Sequence, residues 1–389
     1  MNPNERIIRT LEGKSVDRVP TFCATLEDRT FNEVLGKPLI PQEWFFRNRL
    51  TVYLLDKWGP SLTRSVFQPL VNIAMEKRIK AAVKLGFDST WAVYEGSFIV
   101  LDSKTMARFT GSLFRLQGDG YGNMTYRYSG PGITSREEFE AWPHWPVPDE
   151  VAHNAYKFMR KIVRKYGEQI CLIGHASAYG LHESLLWTLG VENMALWVMM
   201  ERDLVQRYIN LAEELCLKTS MAMLDAGIRV IMQPDDFAFK SGPFLNPKLI
   251  DELFGPPYKR IIKAVHDRGG KFLLHSCGDN TLLFDIFLSW GVDGFHAYEN
   301  TSNVNIVKEK EIHGDRAVMI GGMGIDYLLT DRSRDDEVVE QVKTLIRDLA
   351  PGGRFIIAPT HSISATPAHK LKVMIDAVKK YGSYPLNLS

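Results

Sequence analysis

Short apolar runs recur along the chain, and most are followed by a stretch with helical spacing. This alternation limits the possible folds more than any other feature. The runs are Thr21–Thr25, Thr90–Tyr94, Ile170–Gly174, Arg229–Pro234, Lys271–Leu274, Gly294–Tyr298, Ala317–Ile320 and Phe355–Ala358. Each has the length of a strand, and the helical spacing between them supplies the crossover that parallel strands need. Eight such units predict an α/β fold of the closed (β/α)8 barrel type. An open doubly wound sheet is the alternative, but no Gly-rich fingerprint opens a helix after the first run. Between Phe98 and Tyr128 the texture changes to short β-prone runs broken by Gly118-Asp-Gly120 and Gly122-Asn123. These are hairpin signals, so an antiparallel β-hairpin insertion is expected at 96–130, after the second strand of one barrel domain spanning 1–389.

Helical spacing is read over residues 3–14, 29–57, 72–85, 151–166, 181–197, 203–225, 335–349 and 367–381. Ser61–Val71 reads as loop. Asn246 with Pro247 opens a helix, which Gly255-Pro-Pro257 is expected to break before it resumes to His266.

Composition narrows the partners. The 389 residues carry 47 basic and 46 acidic side chains, a net charge of +1, so no basic field favours nucleic acid. The longest apolar run is shorter than the roughly 18 residues a membrane span needs. Four cysteines, Cys23, Cys171, Cys216 and Cys277, lie far apart, which fits a reducing compartment. Met1-Asn-Pro-Asn-Glu-Arg lacks an apolar leader core, so a cytoplasmic protein is expected.

In a (β/α)8 barrel, chemistry sits where the strands end. Those ends hold Glu95, His175, Asp235, Asp236, His275, Cys277, His296, Glu299, Gly321, Gly322 and His361. On a strand, side chains at i and i+2 share a face, so His275 and Cys277 project together. An imidazole and a thiolate suit a borderline divalent metal, and His361 at another strand end supplies a third donor. Three protein ligands leave an open coordination position, the pattern of catalytic zinc. Asp235, Asp236 and Glu299 are the candidate catalytic carboxylates. Glu95, His175, Lys240, His296, Gly321 and Gly322 are the candidate substrate contacts.

The same residues carry a resemblance. Pro234-Asp-Asp-Phe-Ala-Phe-Lys-Ser-Gly-Pro-Phe-Leu-Asn-Pro247, His275-Ser-Cys-Gly278, Gly321-Gly322 and Ala358-Pro-Thr-His361 with Thr366-Pro367 follow one another as in the uroporphyrinogen decarboxylase superfamily. The likeness is best over residues 170–381, with an echo at Arg18-Val-Pro20. True decarboxylases carry an Arg-Gln-Ala-Gly-Arg-like motif near the N-terminus, where this chain reads Thr21-Phe-Cys-Ala-Thr-Leu-Glu-Asp-Arg29. The His-x-Cys pair instead resembles the zinc-dependent corrinoid methyltransferase branch, whose ligands are His, Cys and a later Cys. Here His361 stands at the later cysteine. The resemblance implies Zn2+ and methyl transfer between a small donor, with O-demethylation of a methoxylated aromatic as one form, and the cobalt of a corrinoid. The cobalt-ligating pattern Asp-x-His-x-x-Gly is not met, since Ala264 stands where Asp would precede His266. A separate corrinoid protein is therefore the expected partner. A metal-independent decarboxylase-like lyase is the alternative function, and a non-catalytic binding barrel is a third.

Overall fold

The structure is a computed structural model that describes residues 1–36, 42–118, 124–175, 180–299, 301–361 and 366–386. Its strands are β1 (Phe22–Cys23), β2 (Ser89–Val93), β3 (Phe98–Val100), β4 (Thr105–Arg108), β5 (Ser112–Gly118), β6 (Met124–Pro131) and β7 (Cys171–His175). They continue with β8 (Val230–Pro234), β9 (Ala238–Phe239), β10 (Gly242–Pro243), β11 (Lys271–His275), β12 (Gly294–Ala297), β13 (Val318–Met323) and β14 (Phe355–Pro359). Eight of them form one parallel sheet in the order β1-β2-β7-β8-β11-β12-β13-β14. Thr21 bridges to Ile357 in parallel, and the Ile357 amide donates to the Pro20 carbonyl at 3.0 Å, so the sheet closes on itself. The expected (β/α)8 barrel is the observed fold.

Side-chain parity then decides what reaches the mouth. Cys171 and Ile173 pack inside the barrel, so His175, two residues further on, points inward as well. Leu273 is inside, so His275 is too. The helix Pro3–Leu11 closes the opposite end, with Ile7 and Leu11 fully buried against this interior. The outward faces of the strands meet the surrounding helices in a second, larger core.

The insertion after β2 is larger than a hairpin. It is a four-stranded antiparallel sheet in the order β3-β4-β5-β6. Of its expected turn signals, residues 119–123 lie outside the described residues.

Two expectations about helices fail. Ser61–Val71 is helical: Arg49–Leu62 runs into a π-helical turn at Thr63–Phe67 and then into Gln68–Leu85. Thr63 holds that turn, accepting from the Val100 amide at 2.9 Å and donating to the Gly59 carbonyl at 3.0 Å. Tertiary packing overrides the local polar signals there. Pro256 and Pro257 also fail to break their helix, which runs unbroken from Pro247 to Asp267. One face of it, including Phe254, Tyr258 and Ile262, is buried, and that burial outweighs the lost backbone hydrogen bonds.

Gly321 sits inside β13 at φ 144°, where an added Cβ would lie 1.9 Å from the Ala297 carbonyl. Gly322, at φ 91°, would meet Leu345 at 2.8 Å. Both glycines thus permit close approach to the protein's own neighbours. Gly321→Ala should destabilise the fold by about 2–3 kcal/mol or more, read as a lower denaturant midpoint. A variant as stable as the parent would show that this approach imposes no constraint.

Candidate metal centre at the barrel mouth

A pinned loop holds Cys277 at the end of β11. The Ser276 hydroxyl accepts from the Phe237 amide at 3.0 Å and donates to Asn280 Oδ1 at 2.9 Å. Asn280 Nδ2 returns a hydrogen bond to the Cys277 carbonyl at 2.9 Å. Gly278 follows at φ 81°, with its Cα so close to the Ala238 and Phe239 carbonyls that a Cβ would lie 2.4 and 2.5 Å from them. Only glycine fits that turn.

Around the Cys277 thiol the donors converge. Sγ lies 3.5 Å from His275 Nε2 and 3.2 Å from His361 Nδ1. Asp236 Oδ1 accepts from the Cys277 amide at 2.7 Å and lies 3.8 Å from His275 Nε2. Donor atoms of Asp236, His275 and Cys277 all fall within 4.8 Å of one another. On the far side of His361, Nε2 sits 3.1 Å from Glu299 Oε1. Glu299 also accepts from the Thr301 hydroxyl and, at 3.1 Å, from the Gly278 amide, with Lys240 Nζ at 3.7 Å.

Electrostatics sorts these groups. Burial, with His296 and His361 nearby, holds His275 well below the usual histidine range, so it is a neutral imidazole. Burial pushes the Cys277 thiol well above its ordinary range, and Asp236, Glu183 and Glu299 push it further. Burial works to raise Glu299, but hydrogen bonding from Thr301 and the charge of His361 outweigh it, and its carboxyl falls below the usual value.

The remaining sequence candidates divide. Trp91 forms the floor beside the cluster, its ring 5.7 Å from His275 and 5.1 Å from His175. Burial brings His175 down to about 4, and its Nδ1 is buried with no partner among the described residues. Glu95 is held by Arg108 from the insertion. Lys240 is exposed and its carboxylate neighbour is Glu299. Two candidates take different tasks from those expected. Asp235 is fully buried, accepting amides of Leu181, His182 and Glu183 and the Tyr258 hydroxyl. It caps the helix His182–Leu189 from outside, and both its oxygens are occupied. His296 is 2% exposed, with its Nδ1 2.6 Å from His275 Nδ1.

Sequence reading missed Glu183. It lies in the first turn of the helix after β7, the end that faces the mouth, and that position was the available signal. Burial, together with Asp236 and Asp235, raises its carboxyl well above the usual range. Arg108 was missed too, because it comes from the insertion.

The family model for uroporphyrinogen decarboxylase (URO-D) matches residues 125–381. The chain belongs to the uroporphyrinogen decarboxylase family. A curated relative, the methylcobamide:CoM methyltransferase MtaA of Methanosarcina barkeri (strain Fusaro / DSM 804), is 23% identical over 223 residues. That stretch is 57% of this chain and spans 62% of the relative's length. A solved methyltransferase from Methanosarcina mazei superposes with a TM-score of 0.67 at 18% identity, covering 98% of this chain and 99% of its own, which supports the barrel fold. No helix among the described residues is long and apolar enough to cross a membrane.

The mouth of this uroporphyrinogen decarboxylase family member has a donor set that fits a divalent cation. A thiol held protonated by burial would give up its proton to solvent when a cation binds its sulfur. The neutral imidazole of His275 and the carboxylate of Asp236 complete the set, whereas His361, 3.2 Å from the thiol, stands outside that group of mutually close donors. In metal-free protein Cys277 should therefore alkylate with iodoacetamide more slowly at pH 8 than a free cysteine, whose thiolate fraction there is about a quarter. The rate should keep rising with pH beyond 9, and Asp236→Asn should speed it by removing a nearby negative charge. The other three cysteines are buried and should stay silent. A rate matching free cysteine at pH 8 contradicts the raised thiol.

Proposed function

We propose that the protein is a zinc-dependent methyltransferase that moves a methyl group between a small donor and the cobalt of a separate corrinoid protein. The convergence of His275, His361 and Asp236 on the Cys277 thiol carries this reading. The likeness to the methylcobamide:CoM methyltransferase agrees with it. His275, Cys277 and His361 would hold the metal, with Asp236 as a further donor. When bound, zinc supplies Lewis acidity that stabilises a thiolate or a departing alkoxide or phenolate.

The chain's own residues would do the rest. Glu299 holds His361 by its far nitrogen, which orients the near one. Trp91 and His175 shape the floor on which the donor rests. The half-buried Trp91 indole is the one support for a methoxylated aromatic donor, and hence for O-demethylation. Glu183 and Asp236 lie where a proton can be given to or taken from a leaving group.

The metal-independent lyase needs free cations for substrate carboxylates. Arg29 is bound to Glu33 and Asp331, and Arg108 to Glu95, which disfavours that reading.

The protein should bind about one zinc per chain. His275→Ala and Cys277→Ser should each lose the metal and lower methyl transfer to reduced corrinoid protein by at least about a hundredfold. His361→Cys, which restores the ligand type of the family branch, should keep the metal. Full activity of metal-stripped protein, measured with a panel of methyl donors, would sink the proposal.

A further inference from the structure

Beside His275 lies a second histidine, 2% exposed. His296 Nδ1 is 2.6 Å from His275 Nδ1, and His296 Nε2 is 3.0 Å from the Pro359 carbonyl oxygen. The two rings are 4.7 Å apart, and the edge of His296 meets Phe22 at 5.3 Å. This inward-facing pair follows from strand register, since His275 and His296 are direct partners in the β11–β12 ladder.

The hydrogen-bond polarity of this chain of atoms can be solved. A carbonyl oxygen only accepts, so His296 Nε2 must carry the proton it donates to Pro359. Among the described residues, the partners of the His296 ring are an aromatic ring, an imidazole and a carbonyl, none of them a carboxylate. The ring is 2% exposed, and a lone buried imidazolium would be strongly disfavoured. His296 is therefore neutral, and its Nδ1 is a lone pair. A lone pair 2.6 Å from His275 Nδ1 needs a proton on that nitrogen. His275 is then the Nδ1–H tautomer, and its Nε2 lone pair faces Cys277 Sγ at 3.5 Å and Asp236 at 3.8 Å.

We infer that His296 is a positioning residue: it fixes the tautomer and ring plane of His275 so that Nε2 is presented as a metal donor at the barrel mouth. A neutral imidazole in free exchange would offer the wrong nitrogen part of the time. Here the backbone of β14 anchors the choice. Pro359 lies two residues before His361, so the same strand end that carries one imidazole of the cluster orients the other. A carboxylate or carbonyl behind a metal-binding histidine is a common arrangement. In this protein a second imidazole relays the carbonyl's effect.

The inference rests on the metal reading above, and two experiments separate their failures. Nitrogen-15 histidine NMR on metal-free wild-type protein, with the His275 signal assigned by its loss in His275→Ala, should show the Nδ1–H form. An Nε2–H form overturns the inference whatever the metal does. The second experiment measures zinc affinity by chelator competition, with the fold of each metal-free variant checked by circular dichroism. His296→Leu should bind zinc about 10–100-fold more weakly. His296→Gln keeps one donor and one acceptor and should recover most of that loss, a rescue that bulk alone would not give. Equal affinity in wild type and His296→Leu overturns the inference. If His296→Leu does not fold, His296→Gln and the tautomer measurement decide. Should the wild type bind no zinc, the methyl-transfer proposal fails while the tautomer result still tests the hydrogen-bond chain.

Discussion

The arrangement of the mouth depends on one buried thiol. Cys277 is surrounded by carboxylates that disfavour its ionised form and lies beside a His275 imidazole that burial holds neutral. Left to itself, such a group is inert. With a cation it becomes the strongest donor in the cluster. The loop from Ser276 to Asn280, the tight turn at Gly278 and the Asp236 contact to the Cys277 amide keep the sulfur in that position. A cation bound there, as proposed, would offset the negative charge that the surrounding carboxylates and an ionised Cys277 would bring.

The second constraint is the parity of the barrel strands. A residue two places beyond a buried aliphatic side chain must also face inward. That rule places His175, His275 and His296 in one layer with Trp91 above the packed interior. Imidazoles in such a layer are desolvated, which favours their neutral form. Asp235 serves this layer indirectly. By accepting three amides at the start of the helix after β7, it fixes the segment that carries His182 and Glu183. His182 Nδ1 in turn lies 2.7 Å from the Asp236 carbonyl.

Much of this was legible in the sequence, for a physical reason. Period-two alternation led to His275 and Cys277 being expected together, although Cys277 lies past the end of β11 and its loop places it; strand ends in a barrel share one rim, so His361 was expected near them despite 83 intervening positions. The rest depended on tertiary partners that spacing cannot reveal. Asp235 and Asp236 are adjacent, yet one faces three backbone amides and the other faces the thiol. His296 read as a substrate contact because its strand position points inward, but its ring packs between His275, Phe22 and the Pro359 carbonyl. Glu183 and Arg108 reach the site from a helix start and from an insertion, and neither position has a signature of its own. The helical path through Ser61–Val71 is likewise set by burial of Thr63 and Phe67.

On the proposed zinc reading, His361 in place of the branch's later cysteine would change the chemistry in a definite direction. A thiolate brings a negative charge to a cation, and an imidazole brings none. One thiolate and two imidazoles would leave a divalent cation at about +1, against about zero with two thiolates. A more positive centre withdraws electrons more strongly from whatever takes its open position. Around this chain's cluster, that extra charge meets two carboxylates. Asp236 lies within donor distance of the same group, and Glu299 pairs with the far nitrogen of His361. Because Glu299 acts through the ring, it strengthens the imidazole as a donor without occupying a coordination position. On the proposed reading, the carboxylates would return part of the negative charge that the missing thiolate would have brought, Glu299 doing so without taking a coordination position.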